Sequence, residues 1–462
     1  MRRQVFCALT AITFCFGVAA CGSKSSGSTG AGAGSGTGAT GAGATGAGAS
    51  GTTGSTGSAM GGAGGTGGTT SSSGSMSTGT GGNGSGTGVD LLAAGLHVCV
   101  QTKTNNVYCW GNADNGDLGQ SLQDNQASPV KVAGLSGLKQ ISSGGYVTCF
   151  IGADDALSCF GANDEGQLGG GSADGDDHPM PAQVMTDVAQ VQIGRNVGQT
   201  VCAVKKDGTL WCWGANGAGQ LGSGMNDSDP HPTPAQVPGV SNVKQVSVFD
   251  TTVCALEGDG SVWCWGSGVN GKLGVDESTL PMCTTSDGSP FGCLTSPAKL
   301  PGAPAAKKVV VGGRTTHVIA ADGSVWGCGE NGSGDLGLGN DTAGFMTGTV
   351  PGFTAVDLGS WGLGNGDGTC AIKADGTVWC WGSDYADEIA EDFMTVDHES
   401  SPKQVQGLPG AASAIDVNGV ACVVMKADGS LWCWGDNGEY ELGTGDTDTT
   451  SEAAPVQVTG LQ

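Results

Sequence analysis

Cysteines are the residues of this chain most obviously placed to do chemistry, and most of them recur at one spacing. Cys99/Cys109, Cys149/Cys159, Cys202/Cys212, Cys254/Cys264 and Cys370/Cys380 are ten residues apart, and Cys422/Cys433 are eleven apart. A turn-forming stretch separates the members of each pair. In Gly258-Asp259-Gly260 the Asp-Gly step supplies the positive φ of a tight hairpin. Across such a hairpin Cys254 and Cys264 face each other, with Cβ atoms about 4.5–5.5 Å apart, close to disulfide distance. Structural zinc needs four converging ligands, usually in Cys-x-x-Cys-like pairs, and that spacing does not occur here. The pairs are therefore expected to be disulfides, formed in an oxidising compartment. Cys283 and Cys293 make a further candidate pair inside an insertion, where a disulfide would clip a projecting loop. Cys328 is left over. It is expected to be a buried, inert thiol, the alternative being a reactive or intermolecular one.

Other chemistry is sparse. The histidines are His97, His178, His231, His317 and His398, and no Ser/His/Asp set, phosphate loop or paired-carboxylate motif recurs among them. No catalytic residue, cofactor or metal site is expected, so the chain reads as a binding protein and not as an enzyme. A formal net charge of −25 repels phosphate backbones, which excludes nucleic acid as a natural partner.

The elements that carry the cysteines repeat. Trp110-Gly111, Phe160-Gly161, Trp213-Gly214, Trp265-Gly266, Cys328-Gly329, Trp381-Gly382 and Trp434-Gly435 follow one another at intervals of 50, 53, 52, 63, 53 and 53 residues. Short runs rich in Val, Leu, Trp and Cys alternate with Gly, Asp and Asn, the pattern of strands and turns. Around Cys254 the strands fall near Ala235–Val237, Val243–Val248 and on both arms of the hairpin. Four antiparallel strands per unit make a propeller blade, so the fold expected for residues 89–462 is an all-β, seven-bladed propeller. The last segment, Pro455-Val456-Gln457-Val458, matches Pro129-Val130-Lys131-Val132. It is expected to supply a missing first strand to blade one and so close the ring. In the Trp-Cys-Trp triplets both Trp share one sheet face and are expected to be core.

An Asn-x-x-Gly-x-Leu-Gly element follows most Trp-Gly pairs, as in Asn216…Gly219-Gln220-Leu221-Gly222 and, with one residue more, Asn112…Gly116-Asp117-Leu118-Gly119. Together with the Asp-Gly-x-Val-Trp-x-Trp-Gly stretch it resembles the regulator of chromosome condensation repeat family over residues 89–462. The resemblance implies a seven-bladed propeller that grips another protein through loops on one face or the rim. Unit five departs from the pattern with His317 and Gly327 in the Cys positions. Unit six lacks Gly-x-Leu-Gly and reads Ser383-Asp384-Tyr385-Ala386-Asp387-Glu388-Ile389.

The N-terminus reads as an export device. Arg2 and Arg3 precede an apolar run near Val5–Val18, too short to span a bilayer comfortably. Val18-Ala19-Ala20-Cys21 resembles a bacterial lipobox. That implies a signal peptide at residues 1–20, cleavage before Cys21 and a lipid on its sulfur. Residues 21–88, nearly all Gly, Ser, Thr and Ala, cannot bury enough apolar surface to order themselves. Such a flexible tether reaches about 45 Å. The expected location is the cell envelope, at the outer membrane where the cell has one.

Acids are concentrated in the loops that leave each Trp-Gly, residues 112–128, 162–180, 215–233, 267–296, 330–350, 383–401 and 436–454. They hold 29 of the 43 acids and one basic residue, Lys272. All seven loops should emerge on one face of the ring. The face is densest in Asp384, Asp387, Glu388, Glu391 and Asp392 of unit six and Glu439, Glu441, Asp446 and Asp448 of unit seven, which are expected to bind a partner. That partner is expected to be an unidentified, basic envelope or extracellular protein, bound by a monomer whose only membrane attachment is its lipid. Two alternatives are a cation-dependent carbohydrate or cell-wall binder using Asp174, Asp176, Asp177 or the 384–399 cluster, and an enzyme with a loop-assembled site.

Overall fold

A computed structural model describes residues 88–462, apart from 123, 196–198, 286–287, 364–365, 385–388 and 390–397. These residues form seven antiparallel sheets arranged as a propeller ring. Blade one consists of Val89–Ala93, His97–Thr102, Val107–Gly111 and Gln126–Lys131. Blade seven consists of Ala412–Asn418, Val420–Met425, Leu431–Gly435 and Glu452–Gln457. The first strands of successive blades neighbour one another around the axis, and that of blade one neighbours that of blade seven.

The repeat is real but its phase differs from expectation. The strand after each long loop belongs to the blade it has just left, as its fourth strand. Glu452–Gln457 pairs with Leu431–Gly435, placing Val456 opposite Cys433 inside blade seven. Blade one is complete without it, so the C-terminal strand does not close the ring as expected. A period fixes the length of a unit but not where the unit starts.

The blade-seven/blade-one seam instead uses the bonds of the internal seams. Gly171, Gly224 and Gly339 each donate a backbone N–H to the next blade's fourth strand, at the carbonyls of Pro232, Thr295 and Ser400; Gly445 does the same to Ala127. Leu92, Val98, Val100 and Trp110 of blade one then pack against Val420, Val424, Leu431 and Leu442 of blade seven.

The inner edges of the first strands are capped by side chains. The Gln140 amide accepts from Val191 N and donates to Val191 O of the next blade. Gln190 does the same to Val246, and Gln245 to Val309. At the next seam a buried Lys308–Asp357 ion pair takes over. An unpaired strand edge in a dry interior would leave its N–H and C=O groups without partners.

The cysteines pair as expected. Cys99–Cys109, Cys149–Cys159, Cys202–Cys212, Cys254–Cys264, Cys370–Cys380 and Cys422–Cys433 are directly opposed disulfides, with Cα atoms 4.1–4.2 Å apart. Cys283–Cys293 is also bonded and clips the blade-four insertion. Cys328 is a buried free thiol, and burial pushes it up to about 12. In unit five His317 lies opposite Gly327. A Cβ on residue 327 would come within 2.8 Å of the imidazole, so the missing side chain makes room for the ring. The two Trp of each triplet part ways. Trp213, Trp265, Trp381 and Trp434 are wholly buried, whereas Trp211, Trp263, Trp379 and Trp432 are only half-buried; Trp211 and Trp379 stand beside the hairpin turns and donate Nε1–H to Thr209 and Thr377 Oγ1. Lys205 and Lys373 lie over the rings of Trp211 and Trp379.

Candidate functional site: the long-loop face

The long loops join the third strand of each blade to its fourth, so all seven leave the same face of the ring. The Asp-Gly hairpins occupy the other. Four of the loops are folded by an Asn of their own. Asn216 Oδ1 accepts from Leu221 N at 3.2 Å while Nδ2 donates to Met225 O at 3.2 Å and Asp227 Oδ2 at 3.0 Å. Asn163, Asn331 and Asn437 receive the matching N–H of Leu168, Leu336 and Leu442.

The same loops lock the seams. At three seams the carbonyl just before Leu of the motif accepts from the next blade's Trp Nε1, whereas the buried Trp381 Nε1 has no hydrogen-bond partner among the described residues. Trp213 donates to Gln167 O at 2.9 Å, Trp265 to Gln220 O at 2.8 Å and Trp110 to Glu441 O at 2.8 Å. Where Phe160 and Cys328 replace Trp, a neighbouring hydroxyl takes the role. Thr148 Oγ1 donates to Asp117 O and Thr316 Oγ1 to Lys272 O, both at 2.8 Å. Each such bond contributes about 1 kcal/mol net.

This geometry corrects two of the candidate partner-binding acids. Asp384 is fully buried and its Oδ1 accepts from Ile389 N at 2.8 Å. That is the Asn-to-Leu bond of the other loops, so Asp384…Ile389 is the motif in disguise. Glu441 is also buried. Its Oε2 accepts from Glu439 N at 2.9 Å, and burial, then the charge of Asp436, raise its pKa to about 8. Neither carboxylate can meet a partner from solvent. Asp387, Glu388, Glu391 and Asp392 lie outside the described residues. Glu439 is half-buried and bonded by Asn125 Nδ2. Asp446 and Asp448 are exposed.

The alternative cation ligands fare similarly. Asp174 is held by His178 Nε2 at 2.7 Å and Asn163 Nδ2 at 3.1 Å, and the His178 bond leads the effects that lower its pKa. Asp176 and Asp177 are exposed. Among the described residues, no group of three or more His, Cys, Asp or Glu converges to hold a metal ion.

Two buried polar arrangements were invisible in the sequence. Thr148 Oγ1, His97 and Asp117 stand in line, with 2.6 Å from Thr148 Oγ1 to Nε2 and 3.5 Å from Nδ1 to Asp117 Oδ2. The Thr148 hydroxyl donates to Asp117 O, so it accepts from Nε2–H. Burial lowers the His97 pKa to about 4 and raises that of Asp117 well above the usual carboxylate range. The line resembles a hydrolytic triad in order only, because all three side chains are sealed from solvent. The second arrangement crosses the axis. Arg195, just past the first strand of blade three, reaches Asp416 of blade seven at 2.5 Å, and Asp416 also accepts from Ala94 N of blade one at 2.9 Å. Both charged side chains are almost wholly buried, so one contact ties three blades together.

A cleft of about 700 Å³ opens on this face between blades three and four, lined by Glu165, Gln199, Asn216, Asp227, Thr251 and Phe291 among others.

Comparison with known proteins agrees with this architecture. The regulator of chromosome condensation (RCC1) repeat matches residues 105–151, 207–256 and 428–462, so three segments of this seven-bladed propeller match RCC1 repeats. It is 24% identical to the Arabidopsis thaliana ultraviolet-B receptor UVR8, over 80% of this chain and 69% of the receptor. It is 23% identical to the mitochondrial RCC1 domain-containing protein RUG3 of the same plant, over 82% of this chain and 76% of that one. Identity to the human E3 ubiquitin-protein ligase HERC2 is 26% over 77% of this chain, which spans only 7% of the ligase. Among solved structures, Prp20p from Saccharomyces cerevisiae superposes with a TM-score of 0.64 at 17% identity, covering 77% of this chain and 86% of Prp20p. That likeness concerns the fold alone.

Proposed function

We propose that the chain is a non-catalytic protein-binding scaffold that presents its long-loop face to a basic partner at the cell envelope, anchored by a lipid on Cys21. The observation that carries this reading is the charge division of the ring. The long loops hold 29 of 43 acids, and their one basic residue, Lys272, is buried with its Nζ on Gly313 O at 3.1 Å. Asp176, Asp177, Asp229, Asp446 and Asp448 remain exposed. Like charges held together repel, and a face that keeps them attracts cations and cationic proteins. Relatives lend the protein-binding half. Prp20p is described for its binding to Gsp1p and histones, and in a complex with Kap60. The lipobox-like Val18-Ala19-Ala20-Cys21 and the tether after it support the envelope half.

The test is cross-linking capture from native envelopes. Asp176, Asp177, Asp446 and Asp448 are changed to Asn, and capture is compared with the unaltered protein at low salt and at about 0.3 M, where exposed charges are screened. Loss of the partner in the variant and at high salt is expected. Undiminished capture of every partner in both conditions would refute the reading. Cys21→Ser should release the protein from membranes, and a variant that stays bound would place the anchor elsewhere.

A further inference from the structure

Blade four alone carries an insertion, and that insertion is stiff. Met282–Thr284 pairs with Pro290–Lys299 as a hairpin. Cys283–Cys293 cross-links it. A short turn at Glu277–Thr279 braces it through Gly292 N, which donates to Glu277 Oε1 at 3.1 Å. Facing it stands the long loop of blade three, pinned by Asn216. Both walls of the 700 Å³ cleft are thus held by bonds within the chain, and a cleft fixed open before binding avoids the ordering cost of forming it.

Its lining says what fits. Among the described residues, Glu165 and Asp227 are the only charged side chains that line it. Asp227 is committed to His231 at 2.7 Å and to Asn216. The Glu165 carboxylate is half-buried and, among the described residues, has no hydrogen bond or ion pair of its own. Burial, then the neighbouring Asp164, raise its pKa, so a cation beside it relieves an unfavourable charge. The apolar component is Phe291, half-buried in the cleft. Two of the lining amides are already used. Asn216 folds its own loop, and Gln220 Oε1 accepts from Ala218 N at 2.8 Å.

We infer that the cleft between blades three and four is the groove for an extended segment of a partner protein, taking a Lys or Arg at Glu165 and an apolar side chain against Phe291. The inference rests on the protein-binding reading of the long-loop face and moves its centre from blades six and seven to blades three and four.

Short capped peptides test it on the full-length protein. Each carries a central benzoyl-phenylalanine, a photoreactive group that inserts into nearby C–H bonds. The flanks are Leu with Lys, Leu with Ser or Leu with Glu. The Lys peptide should label the cleft lining at 215–220 or at Thr284 and Phe291, the Ser peptide less and the Glu peptide not at all, as mapped by mass spectrometry. Glu165→Gln should weaken the Lys peptide roughly threefold and leave the Ser peptide unchanged. Phe291→Ser should abolish labelling by both, with melting curves confirming that each variant is folded. Equal labelling by Lys and Glu peptides overturns the inference, as does absence of labelling above a peptide lacking Leu. Labelling confined to blades six and seven overturns it while sparing the long-loop face as a protein-binding surface. An N-acetylglucosamine oligomer that displaces the Lys peptide from the cleft overturns it in favour of a sugar.

Discussion

The two faces of the ring use the same carboxylates in opposite ways. On the hairpin face, Asp207, Asp259, Asp322, Asp375 and Asp428 stand in water and accept bonds from the residue two positions on: the hydroxyls of Thr209, Ser324 and Thr377, and the backbone N–H of Ser261 and Ser430. Those bonds favour the ionised form and hold their pKa values below the usual 3.8. On the long-loop face, Glu441 and Asp367 are buried, and desolvation raises them to about 8 and about 7. A carboxyl in a turn is stabilised by its charge, whereas one locked into a seam is stabilised by losing it. Counting acids on the long-loop face therefore overstates the charge that a partner meets.

If the seams of the long-loop face bear the fold, Arg195→Ala should be the most damaging change, because it leaves Asp416 buried without its cation. Removing one member of a buried pair costs about 3–5 kcal/mol, read by chemical denaturation. Arg195→Met combined with Asp416→Asn should recover part of that loss, since the Asn side-chain oxygen still accepts from Ala94 N. A single variant as stable as the parent would show that the cross-axis contact is idle.

Asp384 distinguishes architecture from display next. Asp384→Asn should fold as well as the parent, because Asn is what the other loops use. Asp384→Ala should lose about 1–3 kcal/mol by orphaning Ile389 N–H. Equal stability of the two would return Asp384 to the set of free acids.

The pH dependence separates the faces further. Glu441 has a folded pKa above its ordinary 4.5, so its stabilising contribution is complete below about 4.5 and is lost as pH rises through 8. His97 and His317, lowered to about 4, act oppositely. Their contribution is complete above about 6.5 and is lost as pH falls through 4. Melting temperature should therefore peak near pH 5–6, and Glu441→Gln should flatten the alkaline side alone. An unchanged alkaline slope in that variant would contradict the assignment. The turn aspartates contribute above pH 3.8 and lose that contribution only in stronger acid. Asp207→Asn, the mildest change, should shift the melting temperature by less than about 2 °C at neutral pH.

How much of this the sequence disclosed depends on range. The Cys254/Cys264 pairing was legible because a hairpin is local and its turn residues announce it. The number of blades was legible because Trp-Gly recurs. The blade boundary was not, since any starting point gives the same period. Asp384 and Glu441 read as surface charges because composition does not report solvent. Asp384 could have been found by aligning its five-residue spacing to Ile389 with that of Asn437 to Leu442. Arg195–Asp416 spans 221 residues and left no local signature at all.

Hydrogen exchange on the complex captured from envelopes most directly judges whether the long-loop face binds. Peptides from residues 162–180, 215–233 and 436–454 should gain protection when the partner is bound, while the Asp-Gly hairpins at 205–209, 257–261 and 373–377 exchange as in the free protein. Protection confined to the hairpins would place the partner on the opposite face and contradict the binding role proposed for the acidic loops.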